Sequence, residues 1–206
     1  MLAKSFVPVL ARMGVRLHLR MDRYGFYPAG GGRIVVTVEP CPKPDALRMV
    51  ERPAITHRRA RVVLANLRKD IGKRELSRVY QRLGWAREDL HLEETTQSAG
   101  PGNALMLEAG TADHTEVATA FGRIGTPAEN VADEAIDEIR EYLASDAPVG
   151  MHLADQLLIP MALAGAGEFH AVKLTGHTVT NIDTIQQFLP VRFTTSEQGR
   201  GWRVAL

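Results

Sequence analysis

Two short polar segments in the C-terminal quarter of the chain carry the residue types that can do chemistry. The first, His152-Leu153-Ala154-Asp155-Gln156, opens a long apolar run, and the second, His177-Thr178-Val179-Thr180-Asn181, separates an expected strand from an expected helix. Residues three and four apart share a helix face, so His152, Asp155 and Gln156 should project together. A carboxylate beside an amide suits hydrogen bonds to a nucleobase or a ribose, and the histidine ring could stack on a base.

The second segment offers a nucleophile. His177 follows Thr175 and Gly176 at the end of the expected strand. Either Thr180 or Asn181 is expected to cap the next helix, and the free amides at that helix start would bind an anion. A histidine placed there could attack a phosphorus atom while amides and hydroxyls hold the phosphate oxygens.

Both segments also have a purely structural interpretation, which the sequence leaves open. Asp155 could satisfy the first-turn amides of its own helix, and His177 could be a hydrogen-bonded histidine of the fold. The chain has neither a Ser-His-Asp order nor the helical histidine pair of a zinc hydrolase, so those activities are not predicted. Four further histidines lack a comparable context and receive no role: His57, His91, His114 and His170.

The 206 residues have the composition of an ordinary globular protein, with 45% hydrophobic and 24% charged residues. No apolar stretch is long enough for a membrane span, and the segment Met1 to Lys4 lacks the layout of a signal peptide. Cys41 is the only cysteine, which excludes disulfides within the chain and cysteine-rich zinc sites. We therefore expect a reduced, cytoplasmic setting and no membrane partner.

The net charge of +1 conceals an asymmetry along the chain. Residues 1–80 carry 17 Lys and Arg against 6 Asp and Glu, whereas residues 81–150 carry 4 against 14. A basic first part could attract a polyanion such as RNA. The alternative, that the basic and acidic parts face each other or face water, remains open at this stage.

Hydrophobic periodicity gives the first part of the chain, residues 1–55, a helix and two strands. The helix ends before Gly14, and the strands lie near Val15–Met21 and Arg33–Glu39. Because the run Gly30-Gly31-Gly32 leads into a strand and not into a helix, a loop joining two strands is favoured over a phosphate-binding loop.

Residues 40–60 are rich in proline and arginine and are predicted to be a linker. The second part, residues 56–145, should mix helices and strands and carry no active-site cluster. Its strands are expected near 61–67, 90–95, 104–109 and 115–121, and its helices at 72–83 and after a capping box at Thr126-Pro127-Ala128-Glu129. The acidic side of the last helix is interpreted as a solvated face: Glu134, Asp137, Glu138 and Glu141.

The third part, residues 146–206, holds both polar segments. A helix is predicted over residues 150–164, loosened at Pro160, with Leu157, Leu158, Met161 and Leu163 available to the core. A second helix should run through Ile182, Ile185 and Phe188. The strands of this part are expected at 171–174, 191–195 and 202–206.

Three stretches taken together resemble the RNA 3'-terminal phosphate cyclase family. They are Tyr24-Gly25-Phe26-Tyr27-Pro28-Ala29-Gly30-Gly31-Gly32, the run from His152 to Ala164, and Thr175-Gly176-His177-Thr178-Val179-Thr180-Asn181-Ile182. The resemblance implies an α+β (mixed α/β) fold of repeated units, each with two helices on a four-stranded sheet, and an inserted thioredoxin-like domain. Residues 1–55 and 146–206 would then form the cyclase core, and residues 56–145 the insert.

The resemblance also implies an activity, the ATP-dependent conversion of an RNA 3'-phosphate to a 2',3'-cyclic phosphate. The histidine that matches His177 attacks the α-phosphorus of ATP, helped by a divalent metal (Mg²⁺ or Mn²⁺), to give a histidine–AMP intermediate and pyrophosphate. AMP then passes to the RNA 3'-phosphate, and the neighbouring 2'-hydroxyl closes the ring and expels AMP. The segment that holds the adenosine matches His152, Leu153, Ala154, Asp155 and Gln156, and no protein residue is assigned to the metal.

Members of this family begin well before the position that matches Met1, so we expect the chain to lack their glycine-rich N-terminal motif and the catalytic residues near it. This leaves a second interpretation open, a catalytically incomplete or cyclase-like chain that only binds nucleotide or RNA. A third, an enolpyruvyl transferase on the same repeated unit, finds no matching substrate-binding pattern. A truncated sheet would expose a strand edge and apolar faces, so we expect a homo-oligomer or a completing N-terminal part as partner.

Overall fold

The N-terminal part of the chain is a short helix followed by a two-stranded ribbon. The computed structural model describes residues 1–206, and a π-helical segment at Leu2–Phe6 continues into α1 (Val7–Arg12). The strands β1 (Leu17–Arg23) and β2 (Arg33–Val38) pair antiparallel. The predicted helix and both predicted strands are confirmed, with the first strand displaced slightly toward the C-terminus.

The glycine-rich loop between β1 and β2 joins two strands, as predicted. Gly30 and Gly31 adopt φ values of +64° and +73°, in the left-handed region that favours glycine. Phe26 of this loop is buried against Gly102, where a Cβ atom would come within 2.2 Å of the phenylalanine ring. The loop is thereby fixed against the strands that follow it.

The proline-rich stretch predicted as a linker contains a short strand. In β3 (Leu47–Met49), Leu47 and Met49 are buried, and the strand pairs in parallel with Gly167–Phe169 near the C-terminus. Three residues among prolines carry too little periodic signal to be recognised from the sequence. The linker prediction is therefore wrong for these residues.

A four-stranded sheet follows, with the order β5-β4-β6-β7. Its strands are β4 (His57–Ala65), β5 (Leu90–Thr95), β6 (Gly102–Gly110) and β7 (Thr115–Phe121). α2 (Lys69–Leu83) and a short 3-10 turn (Arg87–Asp89) connect β4 to the parallel strand β5, and α3 (Ala128–Ala144) follows β7. One apolar core joins this sheet to both helices. The predicted mixture of helices and strands is confirmed, while the status of residues 56–145 as an insert stays a prediction.

The start of α3 differs from its prediction. Pro127 is the N-cap residue and no side chain caps the helix, so the capping box predicted at residues 126–129 is wrong. The carboxylate of Glu129 instead pairs with the guanidinium of Arg74 on α2, at 2.5 Å between Oε2 and Nη2. An ion pair between helices thus replaces the local contact that the sequence pattern suggested.

The C-terminal four-stranded sheet recruits β3 from the first part of the chain. Its other strands are β8 (Gly167–Ala171), β9 (Thr194–Gln198) and β10 (Gly201–Ala205), in the order β3-β8-β10-β9. The helices α4 (Met151–Ala164) and α5 (Gly176–Phe188) share the core of this sheet. Two helices with a four-stranded sheet match the unit that the resemblance implies.

The helix α4 continues through Pro160 and turns most of its apolar side chains inward. Leu157, Leu158 and Met161 are fully buried, as predicted. Leu163 is 57% exposed, so its prediction as a core residue is wrong. It lies on the face of the helix that points away from the sheet.

Part of the charge asymmetry is satisfied by ion pairs inside the molecule. Six cations of residues 1–80 pair with carboxylates of residues 81–150 within 4 Å: Lys4, Arg12, Arg61, Lys69, Arg74 and Arg78. For these residues the basic and acidic parts face each other. The charge pattern therefore gives less support to a polyanion partner than the count alone suggested.

The protein is an α+β protein with mixed sheets, which confirms the predicted fold class. None of its helices combines the length and the apolar character needed to cross a membrane. The ribbon β1–β2 and the sheet β5-β4-β6-β7 lie beside the two polar segments.

Candidate functional site

The first turn of α4 is anchored by a buried glutamate from β7. Gly150 is the N-cap residue, and its backbone N–H donates to Glu116 Oε2 at 3.0 Å. A Cβ atom at Gly150 would lie 2.4 Å from the Glu116 carboxyl carbon, so a larger residue there would displace the Glu116 carboxylate. Asp155 makes no bond to the first-turn amides of α4, and its interpretation as a helix-start residue is wrong.

Asp155 instead links α4 to α5. Its Oδ1 and its backbone carbonyl accept hydrogen bonds from Asn181 Nδ2, at 3.0 Å and 3.1 Å respectively. The two polar segments are therefore in direct contact, as a shared site requires. Asn181 is the sixth residue of α5, so it lies inside the helix and does not cap it.

The cap of α5 is Thr175, five residues before the earlier of the two predicted caps. Its Oγ1 accepts the Thr178 N–H at 3.2 Å, and Thr178 Oγ1 accepts the Thr175 N–H at 3.3 Å. The prediction of Thr180 or Asn181 is wrong because β8 ends at Ala171, so the helix begins earlier than the expected strand allowed. The amides of Gly176 and His177 have no hydrogen-bond partner in the chain and stay available to an anion.

His177 is the second residue of α5, and its side chain is free. The residue is exposed, and its ring makes no hydrogen bond or ion pair within the chain. The interpretation of His177 as a hydrogen-bonded structural histidine is therefore wrong. A ring held at a helix start, without internal partners, is available to attack a bound electrophile.

An open cleft of about 970 Å³ brings the predicted residues together. Its wall includes His152, Asp155, Gln156, Thr175 and His177. The ribbon β1–β2, the glycine-rich loop and strands β4, β6 and β7 complete it. Both polar segments thus face the same space, which is large enough for a nucleotide.

Leu153 and Ala154 do not reach the cleft. Both are fully buried in the core beneath α4, so the structure brings together three of the five residues predicted to hold adenosine. Within that set, Gln156 Oε1 is buried and lacks a hydrogen-bond partner. Buried polar atoms are rarely left unpaired, so this oxygen is available for a ligand hydroxyl or amine.

Three arginines on the same cleft wall were not predicted from the sequence as site residues: Arg23, Arg33 and Arg61. Arg23 donates to the carbonyl of Gly31 at 2.6 Å, and the buried Nε of Arg61 has no partner. Guanidinium groups favour phosphate, so the cleft combines a nucleophile with cationic groups. Arg23 and Arg33 flank the glycine-rich loop in sequence, and this was the available signal.

Residues 56–145 form the central unit of the chain, and two of its glutamates lie behind the first turn of α4. Glu138 Oε1 of α3 is 3.4 Å from His152 Nε2, and this contact chiefly raises the pKa of His152. Burial raises the pKa of Glu116 to about 7. The acidic side of α3 was interpreted as a solvated face, and for Glu138 that interpretation is wrong because its side chain is largely covered at this contact.

A family model described as RNA 3'-terminal phosphate cyclase matches residues 1–195. A protein of Koribacter versatilis with the same description is 49% identical over 205 residues, which cover 100% of this chain and 58% of the relative. Relatives from Ralstonia nicotianae and Salmonella enteritidis, described likewise, are 44% and 39% identical and are covered to 55% and 59%. The chain therefore spans little more than half the length of these relatives.

Proposed function

Because the chain belongs to the RNA 3'-terminal phosphate cyclase family, we propose that it acts in the ATP-dependent conversion of an RNA 3'-phosphate end to a 2',3'-cyclic phosphate. The observation that carries this proposal is the placement of His177. Its ring is free, it lies beside unpaired amides at the start of α5, and it shares a cleft with polar side chains suited to a nucleoside.

The adenosine of ATP occupies the side of the cleft formed by α4. The ring of His152 stacks on the base, while Gln156 Oε1 accepts from a ribose hydroxyl or a base amine. Asp155, already bonded to Asn181, keeps a further carboxylate oxygen for a ribose hydroxyl. This arrangement points the triphosphate toward the start of α5.

The triphosphate then meets groups that carry or accept negative charge. The amides of Gly176 and His177 bind phosphate oxygens at the positive end of the helix dipole. The arginines of the cleft wall, Arg23, Arg33 and Arg61, offer guanidinium groups to the ATP phosphates or to the RNA 3'-phosphate. Both anions are thereby brought to one nucleophile.

The proposed reaction has three steps: AMP is transferred to His177, then to the RNA 3'-phosphate, and is released when the cyclic phosphate forms. A ring nitrogen of His177 attacks the α-phosphorus, a P–N bond forms, the bond to the β-phosphate oxygen breaks, and pyrophosphate leaves. An oxygen of the RNA 3'-phosphate then attacks the same phosphorus and releases the histidine. Finally the ribose 2'-hydroxyl loses its proton and attacks the activated 3'-phosphate, so that AMP leaves and the cyclic phosphate remains.

The family resemblance implies a divalent metal, and no residue of this chain is assigned to it. No group of three or more His, Cys, Asp or Glu side chains in the chain is placed to hold a metal ion. Mg²⁺ is commonly bound through substrate phosphates and water. A Mg²⁺ or Mn²⁺ ion would therefore enter with ATP, and no step is assigned to a protein-held metal.

A second candidate function is binding of nucleotide or RNA without catalysis. The chain spans 55–59% of the relatives named above, so the activity of those whole proteins is a proposal for this polypeptide. The first candidate function also includes ligase activity, RNA and ATP as partners, and a cytoplasmic setting. Both candidate functions are compatible with affinity for ATP, and only the first predicts turnover.

RNA carrying a labelled 3'-terminal phosphate separates these two functions. Incubation with the full 206-residue chain, ATP and Mg²⁺ should make the label resistant to phosphatase, because a cyclic phosphate is not a phosphatase substrate. His177→Ala should leave the label sensitive, whereas His91→Ala, at an exposed histidine of β5, should behave like the parent. A parent protein that binds ATP but leaves the label sensitive would support the binding-only function.

A further inference from the structure

The start of α4 receives its support from residues outside the two polar segments. Glu116 of β7 holds the N–H of Gly150, and Glu138 of α3 lies 3.4 Å from the ring of His152. The two glutamates also border one water-sized cavity of about 10 Å³, together with Gly150. The central unit thus reaches directly beneath the residues proposed to hold adenosine.

Glu138 contacts the ring of His152 from behind. His152 is on the wall of the large cleft, whereas Glu138 is not. Its carboxylate therefore contacts the protein side of the histidine and not the space that a ligand would fill. An imidazole tethered by one nitrogen keeps a fixed plane, and a fixed plane lowers the entropy cost of stacking on a base.

We propose that Glu138 is a positioning residue for nucleotide binding, which holds the ring of His152 in the orientation that stacks on the adenine. The inference rests on the proposed function, since it requires that the cleft binds ATP. It gives the central unit, which carries none of the predicted site residues, a part in setting the affinity of the site.

The electrostatic surroundings of His152 agree with this arrangement. The pKa of His152 is raised, first by the contact with Glu138 and further by the charge of Glu116, while burial and the charge of Lys173 lower it. Lys173 is itself paired with Glu141 at 2.6 Å. Glu138 is thus the principal partner of the ring, and its removal should lower the pKa of His152.

The test measures the dissociation constant of α,β-methylene-ATP, which cannot transfer AMP, on the full chain. Glu138→Ala should weaken binding roughly tenfold, because the ring of His152 loses the ion-pair contact that orients it. Glu138→Gln retains an acceptor for the ring and should bind within about threefold of the parent. Glu134→Ala, one turn earlier on α3 and paired with Arg123, is the matched control and should bind like the parent.

Titration of the His152 ring by NMR provides the second readout. The pKa of His152 should fall in both Glu138→Ala and Glu138→Gln, while affinity falls only in the first. If Glu138→Ala does not fold, Glu138→Asp keeps the charge but not the reach, and must show the same weakening. If the parent binds the analogue and Glu138→Ala, or Glu138→Asp in its place, binds it equally well, the inference alone is overturned. A folded parent that does not bind the analogue would overturn the proposed function as well.

Discussion

At the residue scale, the site consists of groups that the fold leaves without partners. The ring of His177 makes no hydrogen bond or ion pair within the chain, and Gln156 Oε1 is buried and unpaired. By contrast, Asp155 is held by Asn181, and His152 by Glu138. In the proposed reaction both kinds of group touch ligand: the free ones attack it or bond to it, and the tethered ones hold its base and ribose in a fixed orientation.

Glu116 gives the stability of the protein a pH dependence that can be measured. Burial raises the pKa of Glu116 to about 7, from 4.5 for the free side chain. Glu116 has a higher pKa in the folded state than in the unfolded state. Its contribution to the free energy of unfolding is therefore fully present below about pH 4.5 and is lost as the pH rises through about 7. Relative to the parent, Glu116→Gln should therefore gain roughly 2 kcal/mol in free energy of unfolding between pH 5 and pH 8.

Urea denaturation of both proteins across this pH range checks the prediction. Glu75, whose pKa burial also raises to about 7, is present in both proteins and cancels in the difference. A difference in unfolding free energy that stays constant from pH 5 to pH 8 would show that Glu116 does not titrate in this window.

At the element scale, the two helices of the site begin in different ways. The start of α4 depends on Glu116, which is distant in sequence, whereas α5 begins with a local exchange of hydrogen bonds between Thr175 and Thr178. The local cap fixes the turn that carries His177. Its contribution to stability can be separated from the chemistry.

Removal of this cap should destabilise the protein modestly. Thr175→Ala leaves the Thr178 amide without its acceptor, at an expected loss of about 1 kcal/mol in free energy of unfolding. Thr184→Ala is the matched control, because Thr184 is exposed within the same helix and bonds only to the carbonyl of Thr180. It should change the unfolding free energy by less than about 0.5 kcal/mol. Equal losses in the two variants, measured by urea denaturation, would argue against the capping role.

At the scale of the whole molecule, the ribbon β1–β2 presents an exposed apolar face, part of which (Met21 and Ile34) lines the cleft. Opposed residues of an antiparallel pair share a face, which places Met21 with Ile34 and Leu17 with Val38. Met21, Ile34, Val36 and Val38 are each between 46% and 61% exposed. Contiguous exposed apolar surface of this kind favours association.

We expect this face to drive self-association, in line with the expectation from sequence. Val36→Lys should shift the protein toward monomer in sedimentation velocity, because a charge on this face opposes its burial. Thr37→Lys places the same charge on the opposite face of the ribbon and should leave association unchanged. A parent protein that is monomeric at all concentrations would contradict the expectation.

Local periodicity was sufficient to predict much of the fold. The strands Leu90–Thr95 and Thr115–Phe121 have the bounds expected from their alternating pattern, and α4 differs by one residue. The strand β3 could not be predicted because it is stabilised by pairing with β8, more than 100 residues away.

The candidate site divides in the same way. His152, Asp155, Gln156 and His177 were identified from their residue types and spacing, and the structure places them on one cleft. The three arginines of the cleft and Glu138, which contacts His152 from outside the cleft, were not identified. Arg61 and Glu138 reach the site only through tertiary contacts, whereas Arg23 and Arg33 flank the glycine-rich loop in sequence. Leu153 and Ala154 were predicted to hold adenosine only because they lie in the segment that resembles the family. Helix geometry turns their side chains into the core.

The most direct test of the account is covalent labelling by ATP. The full chain is incubated with Mg²⁺ or Mn²⁺ and ATP labelled at the α-phosphate, and protein-bound label is measured before and after acid treatment. The account predicts an acid-labile adduct on the parent and on His91→Ala, and none on His177→Ala. Label that persists on His177→Ala, or a folded parent that binds ATP without any adduct, would contradict the assignment of His177 as the nucleophile of this polypeptide.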